Sequence, residues 1–215
     1  MDPIIAKLKE KKIIAIVRGL PGEKIIKTAK ALREGGIGFI EVTFNQSSPS
    51  CLEDTYEAIR SISESIPDIC AGAGTVVSVE QAEAAWRAGA NYIISPDFNE
   101  AVVAKTLELG MLSMPGAFSP TEIAKAYAAG ATFVKVFPAS NLGPDYIKAV
   151  RAPLSHIPLL AVGGISDSNM EQFYKAGAAG FGIGGSLVDK KLIDAGNFEA
   201  VTEIAKRYVD IATGL

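Results

Sequence analysis

The chain has 215 residues, of which 48% are hydrophobic and 21% charged, and its formal net charge is −3. That length suffices for one large core without requiring a second domain, and no stretch is long and apolar enough to cross a bilayer. No basic run or stripe of the kind that binds nucleic acid occurs, so an anionic ligand would have to be held by a few cations and backbone N–H groups.

The opening stretch, MDPIIAKLKEKKIIAIVRGL, carries scattered charges and one short apolar run, IIAIV at 13–17. A secretory leader needs a longer apolar run and a small-residue cleavage site, so a cytoplasmic location is expected. IIAIV is the first strand candidate. A helical pattern follows over 22–34, then LREGGIGFIEVTF (32–44) ends that helix in glycine and enters a second apolar strand. A helix over 50–64 leads to ICAGAGT (69–75), and Ser78 caps a helix over 79–88. WRAGANYIISPDF (86–98), YAAGATFVKVFPA (127–139) and YKAGAAGFGIGGS (174–186) repeat the layout of helix, glycine stop, strand and turn. Gly36, Gly89, Gly130 and Gly177 are the stops, because glycine takes φ > 0 cheaply at a helix C-terminus. Between them lie a helix over 98–109, the run MLSMP (111–115), a helix over 119–129 opened by Ser119-Pro120, one over 144–151 opened by Gly143-Pro144, PLLAV (158–162), and a helix over 168–176. A last helix covers 197–212.

Strands that run continuously apolar and alternate with helices imply a parallel sheet covered on its faces. Eight strand candidates in one chain predict a closed (β/α)₈ barrel, a TIM barrel, as a single domain over 1–215 with short loops. The alternative is an open doubly wound sheet, but no strand–GxGxxG–helix fingerprint is present.

In such a barrel the C-terminal strand ends form one rim, where the active site lies. The residues falling there are Arg18; Glu41, Thr43 and Asn45; Thr75; Ser95-Pro96; Pro115-Gly116; Lys135; Gly163-Gly164; and Gly184-Gly185-Ser186. Glu41 and Lys135 are ionisable residues inside apolar strands, FIEVTF and FVKVF. Strand alternation puts Phe39, Glu41 and Thr43 on one face, and Phe133, Lys135 and Phe137 on one face. The pair reads as a buried ion pair, as a lysine whose amine reaches solvent at the rim, or as reagents. A desolvated lysine near an acid suits imine chemistry: the neutral amine attacks a carbonyl and the carboxyl moves protons. Phe137 and Pro138 would shape the pocket beside the lysine. Glycines after the last two strands, with Ser186, let backbone N–H groups approach a phosphate, unless they serve the turns alone. Arg18 could grip a carboxylate or lie free on the surface, and Thr75 could add a hydroxyl.

Cys51 and Cys70 show no metal or redox spacing and read as reduced thiols, and the single histidine, His156, offers no ligand cluster. No metal or other cofactor is expected. Trp86, on a helix among alanines, reads as packing.

The segments IEVTF, GAGTV, YIISP, MPG, FVKVFPAS, GGI and GGSLV occur in the order found in class I aldolases acting on 2-keto-3-deoxy-6-phosphogluconate (KDPG) and 4-hydroxy-2-oxoglutarate (KHG), and the chain resembles that family over residues 5–210. The resemblance implies a (β/α)₈ barrel, a homotrimer, no metal, and a phosphorylated 2-keto acid as substrate, cleaved to pyruvate and glyceraldehyde 3-phosphate; KHG would give pyruvate and glyoxylate. By motif position it implies Lys135 as the Schiff-base lysine and Glu41 as general acid/base. Thr75 and Arg18 would lie around the carboxylate, and Gly163, Gly164 and Ser186, with neighbouring Gly185, around the phosphate. Pro96 and Phe137 fall within matching motifs as pocket residues. One position departs: the family arginine of E-V-T-x-R is Asn45 here, which resembles the aldolases of the C4 epimer, 2-keto-3-deoxy-6-phosphogalactonate. Other readings on the same barrel are a phosphosugar isomerase or epimerase, and a phosphate-ligand sensor without catalysis.

Overall fold

Five helices end in one device. Glycines 36, 89, 110, 130 and 177 all have positive φ, between 75° and 107°. The next residue then donates its N–H five residues back: Ile37 to Leu32, Ala90 to Ala85, Met111 to Thr106, Ala131 to Ala126, and Ala178 to Phe173. Each pair is the 6→1 bond that stops a helix and turns the chain into a strand. Gly110 joins the four stops that the sequence repeat reveals.

The computed structural model describes residues 2–215. In chain order it contains α1 (Pro3–Lys11), β1 (Ile13–Val17), α2 (Glu23–Glu34), β2 (Phe39–Thr43), α3 (Cys51–Ser65), β3 (Cys70–Gly74), α4 (Val79–Arg87), β4 (Tyr92–Ile94), α5 (Glu100–Glu108), β5 (Leu112–Met114), β6 (Gly116–Ala117), α6 (Pro120–Ala128), β7 (Val134–Val136), α7 (Ala139–Arg151), β8 (Leu159–Val162), α8 (Met170–Lys175), β9 (Gly180–Ile183), α9 (Lys190–Asp194) and α10 (Phe198–Thr213). Every strand pairing is parallel, in the order β5-β4-β3-β2-β1-β9-β8-β7-β6. β5 and β6 are two halves of the expected fifth strand, split at Pro115, which has no N–H to continue the ladder. β5 pairs with β4, and β6 pairs with β7. The chain itself therefore closes the ring, giving the expected barrel with one interrupted stave.

Alternation along the strands divides the apolar residues into two cores. Ile14, Ile16, Phe39, Tyr92, Ile94, Met114, Phe133, Leu160 and Val162 fill the barrel interior. Ile13, Ala15, Val17, Ile40, Val42 and their like pack between sheet and helices.

Two helices were not expected. α1 opens at Asp2, whose Oδ1 accepts the Ile4 N–H at 2.7 Å, with Pro3 in its first turn. It sends Leu8, fully buried, into the interior cluster and so plugs the N-terminal end of the barrel. α9 is a short turn of helix after β9, capped by Asp189. Trp86 departs from its reading as packing: it is 49% exposed. The helix over 144–151 begins earlier, at Ala139, with a kink where Gly143 takes φ 77°.

Candidate active site

β2 and β7 face each other across the ring, with three strand positions between them in either direction. Glu41 and Lys135, from the middle of these strands, both turn inward. Glu41 is 1% exposed and Lys135 is 5% exposed. They share the interior without closing into an ion pair. The Lys135 ammonium nitrogen lies 4.7 Å from the centroid of the Phe137 ring.

Burial dominates both ionisations. It pushes the Glu41 carboxyl above the usual carboxylate range, with Lys135 and Arg18 pulling partly back. It pushes Lys135 below the usual lysine range; Glu41 opposes that shift and Arg18 adds to it. Both shifts favour the neutral forms, the expected outcome for charges in a dry interior.

Glycine makes room for this arrangement. A Cβ at Gly74 would collide with the Glu41 carboxyl, and one at Gly72 would collide with the Tyr92 ring. The GAG of GAGT on β3 thus leaves space for two neighbouring side chains.

The other rim residues take these positions. Arg18 is exposed at the end of β1, and no hydrogen bond or salt bridge engages its side chain among the described residues, though its charge reaches both Glu41 and Lys135. Thr75 follows β3 with φ 57°, a left-handed conformation uncommon for threonine. An amide relay fastens it: Gln46 Nε2 donates to the Thr75 carbonyl at 2.7 Å, Gln81 Nε2 to Gln46 Oε1 at 2.9 Å, and the Val77 N–H to Gln81 Oε1 at 2.8 Å. Asn45 is exposed, and its Oδ1 accepts the Ser47 N–H at 3.2 Å, so its side chain shapes a local turn. Thr43 and Asn45 border a cleft of about 450 Å³ that extends between the β1–α2 loop and α3 and does not reach Lys135. Pro96 is half-buried, with its carbonyl packed against Gly116. Phe137 is half-buried, joined to Pro138 by a cis peptide.

The last two loops lie side by side. Ser186 Oγ donates to the Ile165 carbonyl at 3.0 Å, tying the loop after β9 to the loop after β8. Gly163 and Gly164 have φ of 92° and 72°, so these positions need glycine for the backbone alone. Gly184 and Gly185 differ: neither has positive φ, and a Cβ at either would meet nothing within 4 Å. Backbone conformation and protein packing do not require glycine there. The N–H groups of Gly164, Gly185 and Ser186 meet no protein acceptor among the described residues.

Sequence reasoning missed Gln46, Gln81 and Tyr92. The glutamines lie on separate segments that only the fold brings together. Tyr92 reads as an ordinary strand aromatic.

A parallel barrel whose interior holds one amine and one carboxyl, both displaced towards neutrality, defines the class: an enzyme barrel with its chemistry at the mouth. The chain matches the model of the KDPG and KHG aldolase family over residues 4–204 and belongs to that family. It is a carbon–carbon lyase. It is 39% identical over 189 residues to the "Probable 2-dehydro-3-deoxy-6-phosphogalactonate aldolase" of Rhizobium meliloti, covering 87% of this chain and 86% of that protein. It is 36% identical over 213 residues to the 2-dehydro-3-deoxy-phosphogluconate aldolase of Treponema pallidum, covering 98% of each. Among solved structures, the KDPG aldolase of Legionella pneumophila, with pyruvate captured at low pH as a covalent carbinolamine intermediate, superposes with a TM-score of 0.84 at 26% identity, covering 94% of this chain and 96% of that one.

Proposed function

We infer that the protein is a Schiff-base aldolase that cleaves 2-keto-3-deoxy-6-phosphogluconate to pyruvate and glyceraldehyde 3-phosphate, and KHG to pyruvate and glyoxylate. The observation that carries this reading is Lys135: a lysine only 5% exposed, its basicity lowered by burial, sharing the barrel interior with Glu41. The captured carbinolamine of the Legionella relative supports the same chemistry.

The neutral Lys135 amine adds to the C2 ketone. The carbinolamine loses water, with Glu41 supplying the proton, and becomes a protonated imine. The imine draws electrons from the C3–C4 bond while Glu41 accepts the C4 hydroxyl proton. That bond breaks and glyceraldehyde 3-phosphate leaves. The enamine left on Lys135 takes a proton at C3, and water then releases pyruvate and restores the amine. Burial serves both partners: it keeps the amine unprotonated for attack and the carboxyl basic enough to collect a proton.

Arg18 and Thr75 hold the substrate carboxylate in this reading, and Pro96 and Phe137 line the pocket. Gly163, Gly164, Gly185 and Ser186 surround the phosphate, which the unpartnered N–H groups and the open space over Gly185 would suit. The enzyme uses no metal or other cofactor, works in the cytoplasm, and assembles as a homotrimer. Exposed Val77, Trp86 and Phe118 are apolar surface that an assembly could cover.

Asn45 favours a second reading, in which the galactonate-type C4 epimer is the better substrate. Without the family arginine, one charged contact to substrate is missing. Pyruvate release from the gluconate-type acid, the galactonate-type acid and KHG, measured side by side, tests both. Pyruvate from either phosphorylated acid supports the aldolase. An isomerised product, or binding without turnover, would instead support the isomerase or the sensor.

A further inference from the structure

Two polar atoms are sealed from solvent with no protein hydrogen-bond partner among the described residues: Glu41 Oε2 and the Tyr92 hydroxyl oxygen. They belong to one row of the barrel. Glu41 is in register with Gly72, and Gly72 with Tyr92. The two backbones therefore stand two strand spacings apart, roughly 10 Å, with a glycine between them. Nothing projects from that glycine to separate the side chains. The Tyr92 ring lies over Gly72, and its centroid is 6.0 Å from that of Phe39, two residues before Glu41 on β2. From the opposite side the Glu41 carboxyl leans over β3, with Oε1 against Gly74 at the mouthward end of that strand. Oε2 is the oxygen left in the sealed interior.

Leaving a hydroxyl buried and unpaired is costly, and phenylalanine would fill the same space without that cost. The chain nevertheless places this tyrosine in the same barrel row as Glu41, the one buried carboxyl among the described residues.

We propose that Tyr92 is a positioning residue for Glu41: its hydroxyl donates to Oε2, keeps Oε1 turned to the mouth, and stabilises the ionised carboxylate that accepts the substrate proton. No hydrogen bond joins the two in this structure; in this proposal the contact forms by rotation about the soft terminal torsion of the glutamate or through one bridging water. This inference rests on the aldolase reading. Tyr92 keeps its own proton, since burial, with Glu41 and Cys70 nearby, raises its pKa well above the ordinary phenol range. The charged and titratable groups acting on the pair are Lys135 from β7, Arg18 from the end of β1 and Cys70 from β3.

Tyr92→Phe removes the hydroxyl alone. Four quantities are read in wild type and variant: the melting temperature, pyruvate trapping on Lys135 by borohydride, kcat, and the pH profile of kcat/KM. The variant should fold, melt somewhat lower than wild type because Oε2 loses its donor, and still trap pyruvate. Its kcat should fall on the order of tenfold, the worth of one hydrogen bond to a charged group. Loss of a donor to the carboxylate raises the Glu41 pKa, so the acid limb of the profile should move to higher pH. Cys70→Ala should leave that limb in place. A Tyr92→Phe profile that superimposes on wild type, with kcat within about twofold, overturns the inference while leaving the aldolase reading intact. Wild-type enzyme that traps no pyruvate removes the aldolase reading and this inference together. If the variant fails to fold, a difluorotyrosine placed at 92, a stronger donor, should move the limb to lower pH; no movement overturns the inference.

Discussion

The Glu41 carboxyl on β2 occupies the space that a side chain at Gly74 on β3 would need. The glycine is there for its neighbour, since its own φ is not positive. Gly74→Ala should therefore act through Glu41. If Glu41 is the general acid/base, displacing it should lower kcat about 100-fold, and forcing a methyl into a filled interior should cost about 1–3 kcal/mol of stability. Steady-state kinetics and a thermal melt check both. Unchanged kcat would mean that the carboxyl position does not matter to turnover.

Glu41→Gln separates stability from activity. The folded-state pKa of Glu41 is raised, so the stability linked to this group is fully present below the unfolded pKa, near the ordinary 4.5, and is lost as pH rises through the folded value. Glutamine does not titrate. The variant should therefore melt higher than wild type at pH 7, and the gap should shrink as pH falls towards 4.5. Its kcat should drop by about 10²–10⁴. A variant less stable than wild type at pH 7 would show that the carboxylate is favourably held.

Gln81 is 5% exposed and links Val77 to Gln46, which in turn holds the Thr75 carbonyl. Gln81→Leu leaves a backbone N–H and an amide without their partners, at about 1–3 kcal/mol. If Thr75 faces the substrate carboxylate, KM for the keto acid should rise more than kcat falls. Equal loss in both would place the effect elsewhere.

Gly185→Ala tests the proposed phosphate loop without disturbing the fold. The backbone there tolerates alanine, and the methyl would enter open space. The melting temperature should not change, whereas KM for a phosphorylated substrate should rise about tenfold, the worth of one charge-assisted contact, and turnover of unphosphorylated KHG should hold. Gly164→Ala is the contrasting control: its φ of 72° and the Ser140 side chain against it predict lost stability.

How far the sequence was legible follows from the range of each interaction. Helix stops depend on a few adjacent residues, so Gly36, Gly89, Gly130 and Gly177 could be read directly. That Glu41 shares a face with Phe39 and Thr43, and Lys135 with Phe133 and Phe137, followed from alternation, a property of any strand; that both faces turn inward is set by the closed barrel. α1 was missed although its signals are local: Asp2-Pro3 at the start, then Ile4, Ile5 and Leu8 along one side. The split at Pro115 was also available, since proline cannot serve in a central ladder. Thr75 in a left-handed conformation was not legible, because the glutamine relay that holds it comes from two other segments. Tyr92 was not legible either: its position opposite Glu41 depends on strand register and on the absence of a side chain at Gly72. The exposure of Trp86 could not be read from the pattern of its helix.

Incubation with pyruvate and borohydride, followed by peptide mass mapping, tests the central claim most directly. The buried amine should form an imine that reduction fixes, so one pyruvate-derived adduct should appear, on the peptide containing Lys135. Prior conversion of Lys135 to methionine should abolish it. An unmodified Lys135 peptide, or an adduct on another lysine, would contradict the account.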